Sequence, residues 1–264
     1  MSPSIASALA TLLYCLSAFL IFKQLSKAGH SRWIPMLPAV AAMLLQAATL
    51  GYLIFHPQGL NLGFFVAFSL VSWLISIQIL LSSVFRRIES LGIVVFPISG
   101  FASIAASLHL SDRVISITDN AIQGHIMVSV IAFSLISLGA FHAGLLAYQD
   151  HSIRRHHPGG FIRFLPPLHD MENLLFQFLG FGFVFLSASL VTGFIFLEDI
   201  FAQHVVHKTV LSIIAWFILG ILLYGRVRFG WRGKTAIRWT LSSFVFLVLA
   251  FFGSKLVLEF LVQT

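Results

Sequence analysis

Hydrophobic residues are grouped along the chain in eight blocks of about 18 to 25, and short polar segments separate the blocks. An α-helix rises about 1.5 Å per residue, so each block is long enough to cross the hydrocarbon core of a bilayer, about 30 Å thick. The alternation of polar and apolar residues that is typical of a membrane β-barrel is absent from the sequence. The pattern predicts an all-α, polytopic membrane protein with eight transmembrane helices in a single integral domain, residues 1–264. The predicted spans are Ser4–Phe22, Pro35–Phe55, Leu62–Phe85, Leu91–Leu108, Gly124–Tyr148, Leu174–Leu197, Thr209–Gly225 and Trp239–Phe260.

Composition excludes a water-soluble protein. Of 264 residues, 58% are hydrophobic and 9% are charged, whereas about 25% of the residues in a soluble domain are charged. The one cysteine, Cys15, lies in the first block, so an intramolecular disulfide and a Cys-x-x-Cys-His haem attachment motif are both excluded. The net charge of +7 is not gathered into a basic domain of the kind that binds nucleic acid, so no nucleic-acid partner is expected.

Lysine and arginine are distributed unevenly between alternate loops. Of the 16 basic residues, all but Arg113, Lys208 and Lys255 belong to one set of loops. Loops rich in Lys and Arg stay in the cytoplasm, so this set is assigned to the cytoplasmic side. The prediction is therefore N-out/C-out, with both termini and the loop 110–123 outside and the loop 149–173 in the cytoplasm.

The sixth block is rich in small residues. Small side chains let two membrane helices approach closely, so we expect Gly180 and Gly182 to face another helix rather than lipid. The small residues of this block are Gly180, Gly182, Ser187, Ala188, Ser189 and Gly193.

Histidine is more frequent than expected, with eleven residues against nine carboxylates. Six are assigned to cytoplasmic loops or their vicinity, where they are expected to be solvated: His30, His142, His151, His156, His157 and His169. The other five lie at or near the predicted outer ends of spans: His56, His109, His125, His204 and His207. Neutral imidazole is a common ligand of transition metals and haem iron. Without paired cysteines and with few outer carboxylates, the outer set favours haem over a zinc ion, although a cluster of interfacial histidines explains the pattern equally well.

Several motifs between His125 and the C-terminus occur in a characteristic order. They are His125-Ile-Met-Val at the start of a helix, Leu165-Pro-Pro-Leu-His-Asp-Met-Glu172 before a glycine-rich span that ends in Thr192-Gly193, HKTVLSIIAWFILGILLYGR at 207–226, and Gly230-Trp-Arg-Gly-Lys234. In this order and spacing, the sequence resembles the cytochrome c assembly superfamily of membrane proteins (CcsA-like), and most closely its YpjD branch of inner-membrane proteins. Eight spans agree with that branch.

The resemblance implies haem handling or cytochrome maturation at the outer face of the bacterial inner (plasma) membrane. It matches His125 with a histidine that CcsA-type proteins use for haem, and His207 opens a second matching motif. We therefore expect a bis-histidine haem site in which His125 and His207 bind the iron, with His109 and His204 as alternates. The expected protein is a haem-associated accessory factor and not itself an enzyme. Its expected partners are the lipid bilayer, haem, and other membrane proteins of cytochrome maturation or transport.

Two alternatives remain open at this point. Haem-exporting relatives carry a tryptophan-rich outer segment before the seventh span, whereas 194–210 contains no tryptophan. This difference favours a transporter, or a regulatory subunit of a transport system, without haem. The third hypothesis is a structural partner whose histidines have no ligand.

Two of the motifs have structural interpretations. Pro166-Pro167 ahead of Asp170 and Glu172 is typical of a helix start, where carboxylates are stabilised by the helix dipole. Gly230-Trp-Arg-Gly-Lys234 has glycines for a tight reversal and an interfacial tryptophan. It is expected to form a turn that anchors the topology, with anionic-lipid binding as a second interpretation.

Overall fold

The computed structural model describes residues 2–25, 33–56, 59–61, 63–85, 88–109, 114–115, 120–155, 167–196 and 203–253. Within these ranges, eight helices are long and apolar enough to cross a membrane, which confirms the predicted all-α fold. The helices are α1 Pro3–Leu25, α2 Leu37–Ile54, α3 Phe64–Phe85, α4 Gly92–Leu108, α5 Asn120–Arg154, α6 Leu168–Phe196, α7 Gln203–Phe229 and α8 Lys234–Val248, and a π-helical segment, Leu249–Gly253, continues α8.

The fifth and sixth helices are longer than the apolar blocks that predicted them. α5 has 35 residues and α6 has 29, because polar residues extend α5 at both ends and α6 at its start. Basic side chains lie in the last turn of α5, and Asp170 lies in the first turn of α6. Each charge opposes the partial charge of the helix terminus beside it and so favours the extension.

The helices divide into two compact units, unit 1 at Met1–Thr118 and unit 2 at Asp119–Thr264. In unit 1, α1 and α3 each pack against both α2 and α4. Neighbouring helices run antiparallel, as shown by the contacts of Thr11 and Tyr14 on α1 with Gly100 and Phe96 on α4. Unit 1 is therefore an up-and-down four-helix bundle. The expectation of a single integral domain for the whole chain stays a prediction.

A small antiparallel sheet, which the hydrophobic pattern did not predict, lies at one end of unit 1. Its strands are β1 Phe55–His56, β2 Gly59–Asn61 and β3 Val114–Ile115, in the order β1-β2-β3. Phe55 pairs with Leu60, and Leu60 pairs with Ile115. β1 follows α2, β2 precedes α3 and β3 follows α4, so one end of each of these three helices lies at the sheet. This agrees with the alternation of loops on which the topology prediction depends.

Polar side chains from all four helices of unit 1 meet in its core. The Tyr14 hydroxyl donates to Gln46 Oε1 at 2.9 Å, and Gln46 Nε2 donates to Ser69 Oγ at 3.1 Å and to the Ser99 carbonyl at 3.4 Å. Ser99 Oγ in turn lies 2.8 Å from Ser76 Oγ. All five side chains are buried. Each hydrogen bond satisfies a polar group that would be costly to leave unpaired inside a bilayer.

Unit 2 is a second four-helix bundle, in which α5 and α7 each pack against both α6 and α8. The contacts of His125 with Thr192 and of Ser129 with Ser189 show that α5 and α6 are antiparallel. The indole of Trp216 on α7 donates to Ser187 Oγ on α6 at 2.8 Å. Four helix termini meet near His125, here called the His125 end, and the other four meet near Trp231, called the Trp231 end.

The expectation for the sixth-span glycines is confirmed for one and wrong for the other. A Cβ at Gly182 would lie 2.6 Å from Ile136 Cγ1 on α5, so the two backbones are in close approach there. A Cβ at Gly180 would meet nothing within 4 Å. Two residues turn a helix by about 200°, so both glycines cannot face the same neighbour.

Candidate functional site

His125 lies one turn into α5, at the His125 end of unit 2, and is partly buried. Its Nδ1 is 3.0 Å from the hydroxyl of Thr192 on α6. One turn further along, Ser129 Oγ lies 2.7 Å from Ser189 Oγ and also donates to the His125 carbonyl at 2.7 Å. Two polar contacts, His125 with Thr192 and Ser129 with Ser189, therefore link α5 to α6 at this end of the bundle.

The protonation state of the His125 ring follows from the bonds of Thr192. The Thr192 hydroxyl has one proton, and its oxygen is 2.8 Å from the Ala188 carbonyl and 3.0 Å from the Ser189 carbonyl, groups that only accept. The hydroxyl therefore donates to the backbone and accepts from the ring. His125 Nδ1 is then the protonated nitrogen, and Nε2 keeps the lone pair that binds metals. This tautomer is assigned from the hydrogen-bond network.

The close packing of α5 against α6 explains why these side chains reach each other. A Cβ at Gly139 would lie 2.8 Å from Leu179 Cδ2, and the Gly182 position is equally tight against Ile136. The absence of side chains at two glycines, one on each helix, lets the backbones approach. The short Ser and Thr side chains nearer the His125 end then span the gap between the helices.

His207, the predicted partner of His125, lies in the second turn of α7 and is exposed. α7 is antiparallel to α6, because Trp216 contacts Ser187 and Gly220, one turn later, contacts Phe183, one turn earlier. This places His207 at the His125 end. His207 lies beside the exposed Val210. The structure thus brings the two histidines to the same end of unit 2, and their pairing stays a prediction.

The two alternates differ in what the structure describes of them. His109, in unit 1, caps α4 and is exposed. Its ring stacks on Phe65 with centroids 4.6 Å apart, and Nδ1 is 3.3 Å from the Ala105 carbonyl. Because a carbonyl only accepts, Nδ1 is assigned the proton, and Nε2 of His109 keeps its lone pair as in His125. His204 lies in the first turn of α7, but its side chain, like that of His56, is outside the described residues.

His142 is not in or near a loop, as the sequence analysis assigned it, but inside α5. It is 1% exposed, its Nδ1 is 2.9 Å from the Leu138 carbonyl, and its ring is tilted against Phe178. Its Nε2 is buried and has no hydrogen-bond partner. It lies about 25 Å along the helix from His125, too far to share a ligand. Its position inside the predicted span Gly124–Tyr148 was the signal that the loop assignment overlooked.

Two of the other five histidines assigned to the cytoplasmic side are described, and both are exposed as expected, while their side of the membrane stays a prediction. His151 and His169 are exposed, and His169 Nε2 lies 3.1 Å from Asn173 Nδ2. His30, His156 and His157 lie outside the described residues. In the described part of the chain, no three His, Cys, Asp or Glu side chains are grouped as ligands for a metal ion.

The sequence matches a known protein family over most of its length. The family model described as "Cytochrome C assembly protein" matches residues 33–262 of the chain. The chain belongs to this family. Membership confirms the resemblance carried by the motifs from His125 onward and extends it over most of the first unit.

Three curated relatives of this family member come from bacteria. The chain is 33% identical over 133 residues to inner membrane protein YpjD of Escherichia coli strain K12, which covers 50% of each chain. It is 35% identical over 140 residues to a 28.8 kDa protein of Azospirillum brasilense, covering 52% of this chain and 51% of that one. Protein HemX of Brevibacillus brevis is 24% identical over 213 residues, 75% of this chain and 78% of HemX.

The first two matches span about half the length of those relatives, and no solved structure is significantly similar. Eight candidate spans and the relationship to an inner membrane protein confirm the predicted location, a multi-pass protein of the inner membrane.

Proposed function

We propose that this member of the cytochrome c assembly family is a haem-associated accessory protein, with His125 Nε2 as a ligand of the haem iron, and that it is not an enzyme in its own right. The observation that carries the proposal is the hydrogen bond from His125 Nδ1 to Thr192, at 3.0 Å. It leaves Nε2 unprotonated on a partly buried ring at the end of a helix bundle.

The donor set fits haem. Histidines that bind metals almost always donate their other ring N–H to a nearby acceptor, which fixes the tautomer and the ring orientation. Thr192 has this position relative to His125, and its own proton is directed to the backbone of α6. Bound haem would supply an iron centre whose reactivity and reduction potential depend on its axial ligands.

The other residues have supporting roles in the proposal. His207 is the proposed second ligand, with His204 as its alternate in the same unit. Ser129 and Ser189 hold α5 and α6 in register next to the ligand. The uneven distribution of Lys and Arg supports an N-out/C-out orientation. In that orientation the His125 end faces outward, where partner membrane proteins of cytochrome maturation would meet it.

The test compares purified variants for haem content and for optical and electron paramagnetic resonance spectra. The wild-type protein is expected to bind haem with six-coordinate iron. His125→Ala should yield five-coordinate iron or lose haem, because one axial ligand is gone. Thr192→Val keeps the shape of Thr192 but accepts no hydrogen bond, and should weaken haem binding about 10- to 100-fold.

The matched control is His169→Ala, an exposed histidine at the Trp231 end of the same unit. It should change neither haem content nor the spectra. A wild-type preparation that stays colourless after haem is added would disprove the proposal. Iron that stays six-coordinate in His125→Ala would show that His125 is not a ligand, and the same comparison with His207→Ala tests the pair.

A second candidate function, a transporter or a regulatory subunit of a transport system without haem, is supported by the core of unit 1. Besides the satisfied Tyr14 and Gln46 network, the hydroxyls of Ser7 and Ser103 are buried without a hydrogen-bond partner. Polar groups of this kind in a membrane bundle are typical of proteins that handle polar solutes. Solute uptake by vesicles containing the purified protein, lost in Gln46→Leu, would favour this function.

A further inference from the structure

The turn between α7 and α8 has a conformation that only its glycines allow. Gly230 has a φ of 66° and Gly233 a φ of 55°, values that side-chain-bearing residues rarely adopt. At Gly233 the ψ is −126°, outside the left-handed helical region as well. The segment Gly230-Trp-Arg-Gly-Lys234 therefore reverses the chain tightly, as its sequence predicts, and lies between two candidate membrane spans.

This turn is fixed to the three helices around it. The indole of Trp231 packs against Gly225 on α7, where a Cβ would clash with the ring. Trp231 also contacts Trp239 on α8, with ring centroids 5.6 Å apart. From α6, Glu172 Oε1 accepts a hydrogen bond from the Gly233 N–H at 2.8 Å. The two sequence motifs that contain Glu172 and Gly233 thus meet in space.

Arg226 on α7 also stabilises the α7–α8 turn. Its guanidinium lies 4.5 Å from the ring centroid of Phe176 on α6, and its Nη1 donates to the Trp231 carbonyl at 3.3 Å. A cation over an aromatic face and a hydrogen bond to the turn together hold the backbone in place. The turn is therefore a rigid platform at the Trp231 end of unit 2.

Four cationic side chains lie in the turn or within a few residues of it, and none of them forms an ion pair with another described residue. All four are exposed, and in the part of the chain that the structure describes the one ion pair is between Arg154 and Asp150. Phe229, 67% exposed, offers apolar surface beside them. The four are Arg228, Arg232, Lys234 and Arg238.

We propose that the α7–α8 turn binds the headgroup of an anionic phospholipid. The turn lies where a span ends and the next begins, which is the level of lipid phosphates. Arginine presents paired N–H donors that match phosphate oxygens, and the exposed phenyl ring of Phe229 lies where acyl chains begin. A loop that served only to orient the helices would need the charges but not a rigid backbone to carry them. This inference is independent of haem binding and of which side of the membrane the turn faces.

The test uses the purified full-length protein and measures lipid binding by native mass spectrometry, with phosphatidylglycerol and phosphatidylcholine added separately. The wild-type protein is expected to prefer phosphatidylglycerol. Each basic residue near a membrane surface contributes about fivefold to the affinity for anionic lipid. Arg232→Gln/Lys234→Gln should therefore bind phosphatidylglycerol about 25-fold more weakly and leave phosphatidylcholine binding unchanged.

The control is Arg154→Gln/Arg155→Gln, which removes two basic side chains at the end of α5 rather than in the turn, one of them paired with Asp150. It is expected to change the affinity less than twofold. Equal binding of the two lipids by the wild-type protein, or equal losses in the control and in the platform variant, would overturn the proposal. If the platform variant does not fold, Arg228→Gln/Arg238→Gln leaves the turn itself intact and must show the same loss.

Discussion

Alanine at Gly182 is expected to destabilise the protein more than alanine at Gly180, although the two substitutions are chemically identical. Both glycines lie inside α6, so both variants gain the same intrinsic helix propensity, up to about 1 kcal/mol. The two positions differ in their surroundings. At Gly182 the new Cβ would lie 2.6 Å from Ile136 Cγ1 and 3.4 Å from the Ile136 backbone nitrogen. At Gly180 it would meet nothing within 4 Å.

The difference between the two variants isolates the cost of overpacking. Inserting a methyl group into a tight interface costs about 1–3 kcal/mol. Ile136 Cγ1 is held close to its backbone and cannot swing aside as the end of a long side chain can. We therefore expect Gly182→Ala to be less stable than Gly180→Ala by about 1–3 kcal/mol, whatever the propensity gain is in detergent.

The assay is equilibrium unfolding in detergent, followed by tryptophan fluorescence, since Trp216, Trp231 and Trp239 all report on unit 2. Free energies of unfolding are compared at one detergent concentration. If Gly182→Ala equals or exceeds Gly180→Ala in stability, the close approach of α5 and α6 is wrong. Gly139→Ala provides a milder case, because its neighbour there, Leu179 Cδ2, is the end of a flexible side chain.

Three further predictions concern topology, the unit 1 core and the α7–α8 turn. In a cysteine-free background, Ser116→Cys should react with an impermeant thiol reagent on intact cells and Ser152→Cys should not, and the reverse result would invert the N-out/C-out assignment. Gln46→Ala should lower the free energy of unfolding by at least about 1–3 kcal/mol, since it leaves buried partners unsatisfied; unchanged denaturation would show that the network contributes nothing. Gly233→Ala should cost about 1–3 kcal/mol of backbone strain, whereas Gly124→Ala, at an unstrained and open helical position, should cost nothing in the same melt.

The fold could be predicted from the sequence because bilayer thickness fixes the length of a span. Block length alone located all eight helices, but not the polar turns that extend α5 and α6 past their apolar blocks. Hydrophobicity also does not report which face of a helix packs. For this reason Gly180 and Gly182 were both predicted to face another helix, although only Gly182 does. For the same reason His142 was assigned to a cytoplasmic loop or its vicinity, although it is buried within a span.

The candidate site was predictable in part. The position of His125 at a helix start is visible in the sequence, and its motif pointed to haem. Its partner Thr192 is 67 residues away, and the hydrogen bond depends on how closely α5 and α6 approach, which one sequence does not reveal. The serines of the unit 1 core were missed for a related reason. Each is an ordinary small residue in its own helix, and only the assembled bundle brings Ser69, Ser76 and Ser99 together with Gln46.

The core of unit 1 has a consequence for how the protein is made. Helices enter the bilayer in the order of synthesis, so α1 and α2 arrive first, and Tyr14 can donate to Gln46 Oε1 at once. The amide hydrogens of Gln46 donate to Ser69 on α3 and to Ser99 on α4. Until α3 and α4 are inserted, these hydrogens lack both acceptors inside the bilayer. The cost of the unpaired amide hydrogens therefore favours the packing of α3 and then α4 against α1 and α2. Biogenesis of unit 1 is thereby directed towards one arrangement of its helices, and a chain interrupted after α2 is left with an unpaired amide inside the membrane.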